Sequence, residues 1–269
     1  MPTPYRRGYL GDFDRSIREH PGWPVVLSEG DSWFSYADVV GRLDDPQDQG
    51  NPVFQRPWCL LRLEKAGDEI LTILSGPQRA RLRDTFGRWK LDALLFSGGG
   101  NDIIGADLPP LLRDYTPGAQ APDLIAYSRF ERRLRQIQDC YRELLDLMGD
   151  AGQPSKVFVN SYDYVVPSKK GAVYVGPFKV SGPWLEPALD AHGIPKSLWA
   201  DVVHLLIDAF ATAVDQVAAE PRGAGRLIRV ETRNVVQGHW QDEIHPDHEG
   251  AKRVAARFEI ALRGAGVLP

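Results

Sequence analysis

The chain has 269 residues, 43% hydrophobic and 25% charged, which excludes wholesale disorder and fits one large α/β domain over residues 1–269. Lys and Arg total 32 against 36 Asp and Glu, a net charge of −4, and this balance argues against a nucleic-acid binder. The two cysteines, Cys59 and Cys140, make neither a disulfide framework nor a metal cluster.

No apolar run approaches the roughly 20 residues of a membrane span. Residues 1–20 carry charge but lack the apolar centre of a secretory signal, so the expectation is a cytoplasmic protein. Strand-like runs begin with 23–31 (WPVVLSEGD) and continue with 69–76, 91–100, 156–163 and 226–232. Helical periodicity is expected over 36–43, 77–89, 124–148, 198–219 and 248–262. Arg132, Arg133 and Arg135 read as a solvated helix face, and His204 as a packing or surface histidine. Two regions, 105–123 and 162–195, carry no regular pattern. The second is rich in Gly, Pro and aromatics (Tyr162, Tyr164, Tyr174, Phe178, Trp184), and reads as a loop insertion forming a lid or substrate wall. Strand–helix alternation predicts a doubly wound parallel sheet with ligands at the carboxyl ends of its strands.

Chemistry-bearing residues fall at those ends. The first run closes on Glu29-Gly30-Asp31-Ser32-Trp33, where the Ser32 hydroxyl projects from the end of a buried strand. A serine nucleophile needs such exposure, and a turn capped by Asp31 or Ser32 explains the same residues. The third run closes on Ser97-Gly98-Gly99-Gly100-Asn101-Asp102. These glycines suit a phosphate-binding nest or a plain turn, and the Asn101 amide suits an oxyanion. Near the C-terminus, Asp242 and His245 stand three residues apart, so the carboxylate can fix the tautomer of the imidazole. A metal held by His245 and His248 is the rival reading, and no HExxH signature accompanies it. Gly76 ends the second run and is uninformative by itself.

Taken together, Gly30-Asp31-Ser32-Trp33, Gly76, Gly99-Gly100-Asn101-Asp102 and Asp242-Glu243-Ile244-His245 resemble the four blocks of the SGNH hydrolase superfamily, the GDSL-type esterases and lipases. The resemblance spans residues 30 to 245. It implies a three-layer α/β/α, flavodoxin-like fold with a five-stranded parallel sheet. It implies Ser32 as nucleophile, His245 as general base and then acid, and Asp242 as its orienter. The Ser32 and Gly76 amides and the Asn101 side chain would form the oxyanion hole. Trp33 stands where the name-giving motif has an aliphatic residue, which suits a narrowed site or ring stacking better than a lipase substrate. Trp33, Tyr162 and Tyr164 are the expected substrate contacts. The expected activity is cofactor- and metal-independent hydrolysis of a small-molecule or glycan ester through an acyl-serine intermediate. A carbohydrate O-acetyl esterase, a non-catalytic binding module and a nucleotide or flavin binder remain as alternatives.

Overall fold

A computed structural model describes residues 7–45, 56–175 and 179–269. Among them, the chain runs α1 (Leu10–Glu19), β1 (Val25–Gly30), α2 (Ser32–Ser35), α3 (Val39–Asp44), β2 (Cys59–Arg62), α4 (Ile70–Ile73), α5 (Gly76–Arg88), β3 (Ala93–Ser97) and α6 (Asn101–Ile104). It continues through α7 (Tyr127–Asp150), β4 (Lys156–Asn160), β5 (Ala172–Val175), β6 (Lys179–Ser181), α8 (Glu186–Ala191), α9 (Lys196–Ala219), β7 (Leu227–Val230) and α10 (His248–Gly264).

The five-stranded sheet has the order β2-β1-β3-β4-β7, and every neighbouring pair is parallel. This is the flavodoxin-like order, with its topological switch between β1 and β3. Helices α5, α7 and α9 pack together as one group and α3 packs with α10 as another, giving the three-layer α/β/α arrangement. β3 is buried along its whole length, and β1 from Val26 onward, with Ser28 and Glu29 buried beyond its apolar start.

The second strand corrects the sequence reading. It is Cys59–Arg62, paired with β1, whereas 69–76 holds helix α4 and the start of α5. Ile70, Ile73 and Leu74 are buried while Thr72 is exposed, a spacing of three and four that belongs to a helix. The region 162–195 is also more ordered than expected: it contains the antiparallel pair β5–β6 and helix α8. Phe178 lies outside the described residues. Region 105–123 has 3-10 turns at Pro109–Leu111 and Ala121–Leu124, the latter finishing just beyond it.

Helix α9 is long and apolar enough to cross a membrane by length and composition, which the sequence reading did not note. Here it is a core helix. Val202, Val203, Leu206, Ile207, Phe210 and Val214 are all fully buried against the rest of the fold. His204 is exposed and lies against the Tyr164 ring, as a surface histidine.

Two glycine positions are fixed by close approach. Gly30 has φ +145°, and a Cβ there would run into the Ser97 backbone of the neighbouring strand. In the triplet after β3, a Cβ on Gly98, Gly99 or Gly100 would strike the ring of Phe96, Phe210 or Tyr162 respectively. The triplet therefore lets three aromatic rings close over the rim, and packing explains it without a phosphate.

Candidate active site

Ser32 begins α2 directly after β1, and its backbone N–H, at the first position of a helix, has no intrahelical acceptor. Its Oγ lies 2.7 Å from His245 Nε2. His245 Nδ1 lies 2.9 and 2.8 Å from the two Asp242 carboxylate oxygens, so it donates its proton to that carboxylate and leaves Nε2 to accept from Ser32. Asp242 Oδ1 also accepts from the Ile244 and His245 backbone N–H groups, at 3.0 and 2.9 Å. Those short-range bonds fold the Asp-x-x-His segment so that carboxylate and imidazole face each other. His245 is completely buried and Asp242 nearly so. Asp247 then caps α10 by accepting from Gly250 N, so the helix begins at His248 and His245 stays in the loop before it.

Asp31 holds the serine segment from beneath. Its carboxylate accepts from Trp33 N at 3.0 Å, Ser97 Oγ at 2.7 Å and Tyr162 Oη at 2.6 Å. Burial raises its carboxyl above the ordinary range, and the three donors oppose that rise. Tyr162 reaches it from a left-handed backbone conformation, φ +58°, a strained state for an aromatic residue. Asp102 performs a parallel task for the neighbouring loop. It accepts from Ile70 N at 2.9 Å and Leu71 N at 3.4 Å, and burial pushes its carboxyl up to about 6.

Asn101 opens α6, and its Nδ2 donates one hydrogen to the Asp68 carbonyl at 2.9 Å, leaving the second for the cavity it lines. Gly76 does not join it. It starts α5 at an exposed position and lines neither cavity of the site, because the segment that was expected to deliver it as a strand is helical. Gly67, in the loop after β2, lines the same groove as Asn101. No motif marks Gly67 in the sequence, and the loop that carries it follows a strand that the sequence does not announce.

The three expected substrate contacts separate. Trp33 is 3% exposed and donates its indole N–H to the Ile244 carbonyl at 3.0 Å, so it is a fixed wall and not a free stacking face. Tyr162 is equally buried and packs edge-on to Trp33 at 5.3 Å. Tyr164 bonds Asp208 at 2.7 Å and lines neither cavity.

A further residue was unread in the sequence. Glu243, fully buried between Asp242 and His245, accepts backbone N–H bonds from Ser168 at 3.0 Å, from Leu185 and Glu186 at 2.7 Å each, and from Trp184. Its carbonyl accepts from Val166 N, and its N–H donates to Lys170 O. Burial raises its carboxyl, and these amides oppose the rise. Through it the segments 166–170 and 184–186 are fastened to the His245 loop, with the Trp184 ring edge-on to His245 at 5.5 Å.

Two cavities meet at Asn101. One, about 20 Å³, lies at Ser32 among Trp33, Ile104, Tyr162, Val165, Ile207 and Ile244. The other, about 520 Å³, runs between Gly67, Glu69, Pro109, Pro183, Trp184 and Ala188. Among the described residues, no group of three or more His, Cys, Asp or Glu side chains is placed to hold a metal ion.

No family model matches the sequence, and no curated protein matches it. Solved structures do. A candidate SGNH hydrolase from Slackia heliotrinireducens is 12% identical, with a TM-score of 0.51 over 90% of this chain and 100% of its own. A lipase from a goat rumen metagenome is 17% identical, with a TM-score of 0.53 over 91% of this chain and 98% of its own. An extracellular lipase from Streptomyces rimosus is 14% identical, with a TM-score of 0.50 over 88% of this chain and 99% of its own. The fold is the one these SGNH hydrolase and lipase structures share.

Proposed function

We propose that this protein is a serine hydrolase that cleaves a carboxylic ester through an acyl-Ser32 intermediate. The observation that carries the reading is the continuous relay from Ser32 Oγ through His245 to Asp242, with 2.7 Å at its first step and 2.8 Å at its second. Both distances lie within reach for proton transfer in a hydrogen bond.

His245 Nε2 takes the hydroxyl proton as Ser32 Oγ attacks the ester carbon. The carbonyl oxygen becomes an oxyanion, stabilised by the Ser32 N–H, the second Asn101 Nδ2 hydrogen and the Gly67 N–H in place of Gly76. The C–O bond to the alcohol breaks, and His245 hands its proton to the departing oxygen. A water then gives its proton to His245, attacks the acyl carbon and releases the acid, and the proton returns to Ser32. Asp242 keeps the imidazole oriented and balances its charge while it is protonated.

Hydrolysis of p-nitrophenyl acetate tests this. The wild type turns over, and Ser32→Ala and His245→Ala, folded by circular dichroism, each lose activity. Undiminished hydrolysis by folded Ser32→Ala removes Ser32 from the mechanism. A ligand-dependent rise in melting temperature without turnover of any ester points to a binding module instead.

A further inference from the structure

The two cavities at Asn101 differ in size by more than an order of magnitude, and His245 decides which part of an ester enters each. The proton that His245 receives must pass to the leaving oxygen, so the alcohol lies on the imidazole side. Trp184 packs against His245 and lines the groove of about 520 Å³, which places the alcohol there. The acyl chain is left with the cavity of about 20 Å³ that contains Ser32. A void of roughly 10–15 Å³ on this measure holds one water molecule, so this one accepts a group of about methyl size.

The walls of the small cavity are held in place. Trp33 is tied by its indole N–H to Ile244 O, and Tyr162 by its hydroxyl to Asp31. Ile207 is fully buried on core helix α9, and Val165 is 4% exposed. Each extra methylene on the acyl chain would have to displace packed core side chains or leave the cavity.

Resting on the serine-hydrolase reading, we infer that the protein selects esters of a two-carbon acid on a bulky alcohol, and that Ile207 and Val165 set the acyl limit. In the reaction, the Ser32 Oγ–acetyl bond forms as the bond from acetyl carbon to alcohol oxygen breaks. Water then cleaves the acetyl-serine bond, so the products are acetate and the free alcohol.

A series sharing one alcohol isolates the acyl side: p-nitrophenyl acetate, butyrate and octanoate. For the wild type, kcat/KM falls about tenfold or more from acetate to butyrate, and falls further to octanoate. Ile207→Ala and Val165→Ala each raise the butyrate-to-acetate ratio about tenfold. Reaction with a fluorophosphonate shows that Ser32 remains assembled in each variant. Equal or rising wild-type activity with chain length overturns the acyl limit while leaving the hydrolase intact. An unchanged ratio in both labelled variants removes Ile207 and Val165 as its cause. Failure to hydrolyse all three esters, together with no adduct on folded wild type, overturns the hydrolase reading instead.

Discussion

The floor and the cover of the site are built in opposite ways. The floor (Ser32, Asn101 and the His245 loop) sits on the ends of buried strands, and side chains of defined type hold it: Asp31, Ser97, Tyr162, Asp102 and Asp242. The cover, residues 166–175 and 179–186, meets the His245 loop mainly through backbone amides gathered by one carboxylate, Glu243. Side chains that touch reacting atoms must have particular chemistry, whereas a backbone amide is supplied by nearly any residue. The floor therefore governs the chemical step, and the cover governs what reaches it.

That division orders the expected effects. Ser32→Ala removes the attacking oxygen, so kcat falls about 10⁴-fold or more, measured under saturating ester. Asn101→Ala removes one oxyanion donor, and kcat falls about 10²–10³-fold with KM little changed. Gly67 and Gly76 both have positive φ, +84° and +49°, so alanine strains either one. Only Gly67→Ala lowers kcat per folded molecule, and an equal loss in Gly76→Ala would return Gly76 to the oxyanion hole.

Glu243→Gln, which loosens the cover from the His245 loop, replaces charged acceptance of four amides by a neutral carbonyl, which costs about 1–3 kcal/mol and lowers the melting temperature. Its signature is a KM that rises several-fold while kcat stays within about threefold of wild type. A fall in kcat as large as that of Asn101→Ala would mean that Glu243 acts on the chemical step and not on access to it.

The smallest effect is in the pH dependence of stability. Burial raises Glu29 to about 7 against an ordinary 4.5, with Arg81 opposing, so between those values the folded state holds a proton that the unfolded chain has released. Stability contributed by this group is therefore present below about pH 4.5 and is lost as pH rises to about 7. Asp102, raised to about 6, adds a loss of the same sign over a narrower range. Glu29→Gln flattens the decline in melting temperature over this range without changing the acyl preference.

The same division explains what the sequence made legible. The Ser32, Asn101 and Asp242–His245 blocks stand out because their chemistry depends on residue type. Strands β1, β3, β4 and β7 were legible because each clusters Val, Leu, Ile or Phe within a few residues. Strand β2 was obscured because Cys59–Arg62 is four residues long and runs into Glu64 and Lys65, while 69–76 is richer in isoleucine and leucine. What makes 70–73 a helix includes the Asp102 carboxylate, received from 32 residues away at Ile70 N. Glu243 was passed over for a similar reason: its partners are amides, which no residue letter announces. Trp33 and Tyr162 line the cavity at Ser32, but their polar atoms are committed to Ile244 and Asp31, a pairing across more than 100 residues that no local pattern announces.

Whether Ser32 is an activated nucleophile is decided by peptide mass spectrometry after fluorophosphonate treatment of wild type, Ser32→Ala and His245→Ala. One adduct is expected, on Ser32, absent from Ser32→Ala and strongly reduced in His245→Ala. Folded wild type that acquires no adduct, or acquires it on another serine, contradicts that role for Ser32.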